Sequence, residues 1–476
     1  MNAQSIYHAL PVPFQNLALS AYAVVLQQRY YGGKFHQWCD RYDQQERWSR
    51  SQMETYQLDR LQEILSNAYS FIPHYRQSFQ QSNIKPSDLR KMEDLCIFPI
   101  LEKDVLRTKP ISLVDERIDV RRLKTDRTSG STGSPLIVYW NRDMFPAWWA
   151  LQERRVRAWA GVSQSMPRAM IGGRTICRGS SPGPYWRYNA TWRQLYLSSY
   201  HISPQTAPSY VSAIRRFGST WITGYGSAIA LLGEWLCKNP QELPEIKAAV
   251  TSGDNLLPNH RRYIEEGFGC RVFDNYGSAE GCLVISECSH GNLHVQPESG
   301  ILEILDETGK PCKPGEIGEM IVTGLLNESM PLIRYRTGDL AAWSENTQCP
   351  CGRQSPIVSH IEGRVDDYLL LPDGRKIGRL STAFKKSLTI RSAQLLQDRI
   401  DHAWLLIVPG EDYEPSHGIT IRDDILSRIG DFPIDIRIVP SIPRTRSGKQ
   451  RLVVRTFDNS EATQYLTQLP GTLWNN

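Results

Sequence analysis

The sequence carries little charge imbalance. Its 55 Lys and Arg against 50 Asp and Glu leave a net +5 over 476 residues, too mild to hold nucleic acid through its phosphates. It has no run of 18 apolar residues, which argues against a membrane-spanning helix. The N-terminus lacks the basic-then-apolar pattern of a secretory signal, so a cytoplasmic location is expected. Ten cysteines are too sparse and scattered for a secreted disulfide framework. The Gly-x-x-x-x-Gly-Lys-Ser/Thr loop of strand-to-helix nucleotide proteins is missing, so any phosphate must be held in another way. Internal repeats and low-complexity tracts are also missing.

What the chain does have begins with TDRTSGSTGSP, residues 125–135, directly before the strand-like LIVYW. Such a cluster serves as an ordinary turn or as an anion cradle. In a cradle, glycines let backbone N–H groups approach phosphate and hydroxyls add donors without bulk.

Helical periodicity dominates residues 52–105. From 136, short apolar strands, glycine turns and helices alternate, the mark of an α/β layer architecture, with turns at GYGS (224), TSGD (251) and YGSAEG (276). From about 295 the pattern becomes β, suggesting a small barrel-like or curved sheet. A compact α+β domain follows from Asp366. The expected plan is therefore an N-terminal helical extension (1–54), a large α/β domain (55–365) and a small mobile C-terminal lid (366–476). The apolar stretch LALSAYAVVLQQRYYGG (17–33) reads as a helix packed on the body, with membrane-surface contact as the alternative. Arg154, Arg155 and Arg157 read as a solvated helix face rather than an acid clamp.

Four further motifs are modest singly. YGSAEG places Tyr276 and Glu280 at a strand end, suited to stacking a purine and holding Mg2+. RYRTGDL places Asp339 where it could accept ribose hydroxyls, GRVDD carries Arg364 and Asp366, and PRTRSGKQR carries Lys449 in a Gly-Ser loop. Each alone serves equally as a turn, a cap, a linker ion pair or a basic surface patch. Together, in this order, they resemble the adenylate-forming superfamily of acyl-CoA synthetases, adenylation domains and luciferases. LQEILSNAYSFIPHYRQSFQQSNI and the segment after it are similar to the N-terminal region of phenylacetate-CoA ligase-like enzymes, a branch that includes capsular polysaccharide proteins. The resemblance covers roughly residues 55 to 455.

The resemblance implies residue roles. Thr128, Ser129, Gly130, Ser131, Thr132 and Gly133 would wrap the phosphates of ATP. Gly253, Asp254, Asn275, Gly277 and Ser278 would line the nucleotide site, with Tyr276 against adenine, Glu280 on Mg2+, Asp339 on the ribose and Arg364 near ribose or phosphate. Lys449 would bridge the substrate carboxylate and the α-phosphate, and Asp366 would be the hinge of the lid. Two departures stand out: Leu136 follows the loop's proline where a lysine is usual, and Ala279 replaces the hydroxyl residue before the Glu. The leading expectation is ATP-dependent activation of a small carboxylic acid and transfer to coenzyme A. An amine or carrier-thiol acceptor is a second reading. A non-catalytic nucleotide-binding relative is a third, which Ala279 favours. The first fifty residues are a candidate surface for a homodimer or a pathway partner.

CSHGNLH (288–294) and CPCGR (349–353) supply a further set. Cys288, His294, Cys349 and Cys351 give four N/S ligands, the number and type that closed structural zinc sites use. His294 is preferred to His290 because it opens a strand-like run.

Overall fold

The computed structural model describes residues 7, 9–127, 136–172, 176, 183–199, 201–278, 280–364, 369–372, 376–377, 389–443 and 451–457. In chain order the principal helices are α1 (Val12–Tyr31), α2 (Phe35–Gln45), α3 (Arg50–Phe71), α4 (Pro73–Gln81), α5 (Lys103–Thr108), α6 (Phe145–Leu151), α7 (Ala207–Arg216), α8 (Gly226–Lys238), α9 (Pro258–Phe268) and α10 (Pro415–Ile429). The strands are β1 (Lys124–Arg127), β2 (Ile137–Trp140), β3 (Arg168–Gly172), β4 (Trp186–Asn189), β5 (Gln194–Ser198), β6 (Trp221–Gly224), β7 (Ala248–Ser252), β8 (Arg271–Gly277), β9 (Val284–Glu287) and β10 (Leu293–Val295). They continue with β11 (Gly300–Leu305), β12 (Ile317–Gly324), β13 (Tyr335–Trp343), β14 (Ile357–Arg364), β15 (Leu369–Leu370), β16 (Lys376–Ile377), β17 (Ile390–Arg399), β18 (His402–Pro409), β19 (Ile434–Ile438) and β20 (Val453–Arg455).

The chain divides into two compact units that do not follow chain order. The first comprises residues 1–166, 188–193 and 273–361. Its helix α3 starts at a capping box, in which Ser49 and Gln52 exchange side-chain and backbone hydrogen bonds. It buries Met53, Leu61, Ile64, Leu65 and Ala68, the apolar stripe read from the sequence. The segment after α4, expected to be helical, forms only short 3-10 turns at Pro86–Asp88, Met92–Ile97 and Pro110–Leu113 besides α5. Prolines at 86, 99 and 110 interrupt it, because proline cannot continue a helical hydrogen-bond ladder. The strand-rich part runs in the order β11-β12-β13-β14-β10-β9-β8, with antiparallel pairing of β8 with β9, β9 with β10, β10 with β14 and β11 with β12 and β13 beyond. Its core joins Leu61, Leu65 and Phe79 to Ile285, Met320, Ile333 and Val358.

The second unit comprises residues 167–187, 194–272 and 362–476. Parallel strands β5, β3, β6 and β7 stand side by side, and near-continuous apolar runs such as AAV in β7 suit strands buried on both faces. Gly224 (φ +137°) ends β6 where a Cβ would lie 1.8 Å from the Ile171 carbonyl oxygen, so only glycine fits. Helices α8 and α9 cross closely at Gly233 and Gly267. In the C-terminal part, the order β19-β18-β17-β20 packs with α10 around Leu395, Leu405, Ile407 and Ile425. It is tied to α8 and α9 by Asn259, which donates to the Ile390 and Arg391 carbonyls, and by ion pairs joining Arg391 and Lys238 to Glu234 and Lys238 to Glu411.

Candidate active site and metal centre

In the first unit, β8 carries Asn275, Tyr276 and Gly277 to its end, and the chain then turns through Ser278 and Glu280 to Gly281. Gly281 has φ +63° and lies under the Trp140 ring, where a Cβ would come within 1.8 Å of it. Trp140 ends β2, the strand that follows the Gly/Ser/Thr loop in sequence. A second turn, in β13, presents Asp339 next to Gly338 (φ +68°), with the Lys103 ammonium packed against it.

Two phenols hold the two carboxylates. The Tyr276 hydroxyl donates to Asp339 Oδ2 at 2.7 Å, and the Tyr335 hydroxyl donates to Glu280 Oε1 at 3.2 Å. Burial, followed by the Asp339 charge, pushes the Tyr276 phenol well up. Burial, followed by the Glu280 charge, does the same to Tyr335. Both therefore remain donors at physiological pH. Cys282, beside them, is pushed up to about 12 by burial and then by Glu280, so it is an inert thiol. Glu280 and Asp339 act on the same three groups, which places two acidic oxygens in one small, largely buried region. Such a region can accept a divalent cation and a diol.

Asn275, Tyr276, Gly277, Ser278, Glu280 and Asp339 are thus brought together. In the second unit, Gly253 (φ +86°) and Asp254 follow β7. The Asp254 carboxylate accepts from the Gly226 amide at 2.8 Å and from Ser227 Oγ at 2.5 Å, holding the start of α8. Arg364 closes β14. Thr128, Ser129, Gly130, Ser131, Thr132, Gly133, Ala279, Asp366 and Lys449 lie outside the described residues. Sequence reasoning missed Tyr335, Trp140 and Lys103. Tyr335 stood in the quoted RYRTGDL, but nothing along the chain signalled that its hydroxyl reaches a turn 55 residues away.

The Cys/His set also assembles. Cys288, His294, Cys349 and Cys351 bring one ligand atom each within 4.8 Å of all the others. Cys288 Sγ lies 3.6 Å from Cys349 Sγ, and Cys351 Sγ lies 3.5 Å from His294 Nε2. These edges match a tetrahedron with Zn–S of about 2.3 Å and Zn–N of about 2.0 Å. His294 Nδ1 sits 3.1 Å from Ser355 Oγ and 3.2 Å from its carbonyl, which aims Nε2 at the cysteines. Burial holds this imidazole down at about 4, in the neutral form that binds metal. The Asn292 side-chain amide and the His290 backbone amide donate to Cys349 and Cys288 sulfurs, while the His290 ring is exposed. The donor set fits zinc.

Trp159 meets the His294 ring edge-on at 5.8 Å and is covered by the Arg353 guanidinium at 4.0 Å. Glu46, just past α2, accepts from Trp159 Nε1 at 3.1 Å and from Arg353 at 2.6 Å. The arginines expected on a solvated face hold this same N-terminal region. Residues Gln152–Arg157 form a π-helix, and Arg154 pairs with Asp43 at 3.0 Å. Arg155 is only 2% exposed; it pairs with Glu298 at 2.6 Å and donates to the Tyr42 carbonyl at 2.5 Å. The solvated-face reading fails because α2 covers that side of the helix with carboxylates and carbonyls.

The profile of the CapK C-terminal domain matches residues 369–456. Protein CapK of Staphylococcus aureus is 26% identical over 468 residues, covering 95% of this chain and 99% of the relative. A phenylacetate-coenzyme A ligase of Thermus thermophilus is 26% identical over 432 residues, covering 88% of this chain and 93% of the relative. Among solved structures, 2-hydroxyisobutyryl-CoA ligase in the postadenylation state with 2-HIB-AMP superposes with a TM-score of 0.66 at 20% identity, covering 89% of this chain and 93% of that one. That likeness is one of fold.

Proposed function

We propose that this chain, which belongs to the adenylate-forming superfamily of ligases, activates a small carboxylic acid as its acyl-adenylate and passes the acyl group to coenzyme A. The observation that carries this is the paired geometry of Glu280 with Tyr335 and Asp339 with Tyr276, two phenol-held carboxylates on neighbouring turns. In the first half-reaction a carboxylate oxygen of the acid forms a bond to the α-phosphorus of ATP. The bridging P–O bond to the β-phosphate breaks, and pyrophosphate leaves. In the second, the thiol of coenzyme A attacks the acyl carbon, the acyl–phosphate bond breaks, AMP leaves with the electron pair and the thiol proton passes to solvent.

Both partners of the first step are anions, so preorganised cations and donors supply most of the rate. Asp339 takes the ribose hydroxyls with its carboxylate orientation fixed by Tyr276. Glu280, held by Tyr335, would hold Mg2+, which when bound neutralises phosphate charge. Thr128, Ser129, Ser131 and Thr132 donate to the phosphates, and Lys449 neutralises charge between carboxylate and α-phosphate. Asp366 is the hinge of the C-terminal lid. Cys288, His294, Cys349 and Cys351 would hold zinc in a structural role, since they offer four protein ligands.

The test is acid-dependent ATP–pyrophosphate exchange over a panel of aryl, alkyl and amino acids, with wild type and Lys449→Ala, followed by thioester formation with coenzyme A. Exchange that requires one class of acid and collapses in the variant supports the reading. ATP binding with no exchange for any acid refutes it.

A further inference from the structure

Helix α1 carries apolar side chains on both sides. Tyr30, Leu26 and Tyr31 pack on the core of the first unit, and polar side chains anchor the same inner side. Asn16 Oδ1 accepts from the Tyr188 amide at 3.0 Å, Ser20 Oγ accepts from the Ala190 amide at 2.9 Å, and Thr191 Oγ1 donates to the Ser20 carbonyl at 2.8 Å. Gln15 is buried on the same side, with Ala23 and Tyr30. The large apolar side chains point outward: Phe14, Leu17, Tyr22, Val24 and Val25 are 51% to 66% exposed. At 100° per residue they fall with Ala18 and Ala21 on one arc of the helix, and Ala18 and Ala21 are exposed as well. Ordinary surface helices show the opposite arrangement. Phe14 to Val25 therefore presents a continuous apolar strip on a helix already anchored by polar contacts beneath it.

The charge on α1 and the turn after it has one sign. Arg29 stands in the last turn of α1 and Lys34 shortly after it, and no Asp or Glu precedes Asp40. The strip is one helix face, about 16 Å long and about 10 Å wide, which by itself falls short of the ~800 Å² per partner that a stable protein pair buries. A bilayer surface demands no matching partner shape and takes the apolar side of a helix lying in its plane, with flanking cations at the headgroups.

We propose that the outward face of α1 is a membrane-surface docking site that lays the protein on lipid carrying anionic headgroups. It does so without a spanning segment: among the described residues no helix is long and apolar enough to cross a membrane. The surface is independent of the acid-activating site.

The test is flotation of the full chain with vesicles of phosphatidylcholine, with and without phosphatidylglycerol, for wild type and for Leu17→Glu/Val25→Glu. Both positions are exposed, so circular dichroism and thermal unfolding of the variant should match wild type. Wild type should float with the anionic vesicles, less so at high salt, and the double variant should bind at least about tenfold more weakly, since each change withdraws a large apolar side chain. Three results overturn the proposal. Wild type could stay in the soluble fraction with both vesicle types. The variant could float as wild type does. Or wild type could ignore vesicles yet sediment as a dimer that the variant dissociates, which assigns the strip to a second copy of the chain.

Discussion

Replacing Tyr276 by Phe removes one oxygen and keeps the ring. In the structure that oxygen lies 2.7 Å from Asp339 Oδ2, a bond to a charged acceptor, which is typically worth about 1.5–3 kcal/mol. The phenol's pKa is raised, first by burial and then by Asp339. The sign follows: a raised folded-state value leaves the stabilisation complete below the ordinary phenol value of 10.0. It is lost only as pH climbs above that through the raised value. If the hydroxyl fixes the carboxylate that receives the ribose, Tyr276→Phe loses nucleotide binding rather than chemistry. The apparent KM for ATP in pyrophosphate exchange should rise roughly 10- to 150-fold with kcat little changed. The ratio of variant to wild type should stay flat between about pH 6 and 9. In a double-mutant cycle with Asp339→Asn, the second change should cost far less than it does alone. A folded Tyr276→Phe protein with the wild-type KM for ATP, or fully additive effects, would refute the reasoning.

Tyr335→Phe frees Glu280 from its only protein donor among the described contacts. Titration of exchange activity with Mg2+ should show a half-saturation raised severalfold, while KM for ATP at saturating Mg2+ is near wild type. Arg155→Ala strands Glu298 as an uncompensated charge inside the first unit; a loss of about 3–5 kcal/mol is expected in denaturant unfolding. Arg155→Met/Glu298→Met should recover most of that loss. Elemental analysis of the purified protein should find an equivalent of zinc per chain. It should be lost in Cys351→Ser together with thermal stability and retained in His290→Ala, whose ring is exposed.

The apolar spacing of α3 and the alternation of the later strands are local properties, and they could be read directly. So could the order of the polar motifs, and the four N/S ligands, because ligand chemistry depends on residue type and His294 stands in a strand-like run. The segment 86–105 misled because its apolar periodicity outweighed its prolines. The arginines of the π-helix misled because charge alone reads as exposure; what buried them was α2, supplied by residues more than a hundred positions away.

What the sequence determined by itself is therefore the inventory: which stretches form helix or strand, which side chains can hold phosphate, metal or diol, and in what order. Tertiary structure alone decided which of these meet. It set the Tyr335 hydroxyl on Glu280, slid Trp140 over Gly281 and brought three cysteines to one histidine. It also pinned α1 through Asn16 and Ser20 while large apolar side chains of the same helix stay exposed. The physical reason is range. Propensity and capping act over a few residues and are written in the local sequence, whereas burial and hydrogen-bond satisfaction are settled by groups that become neighbours only once the chain has closed around them.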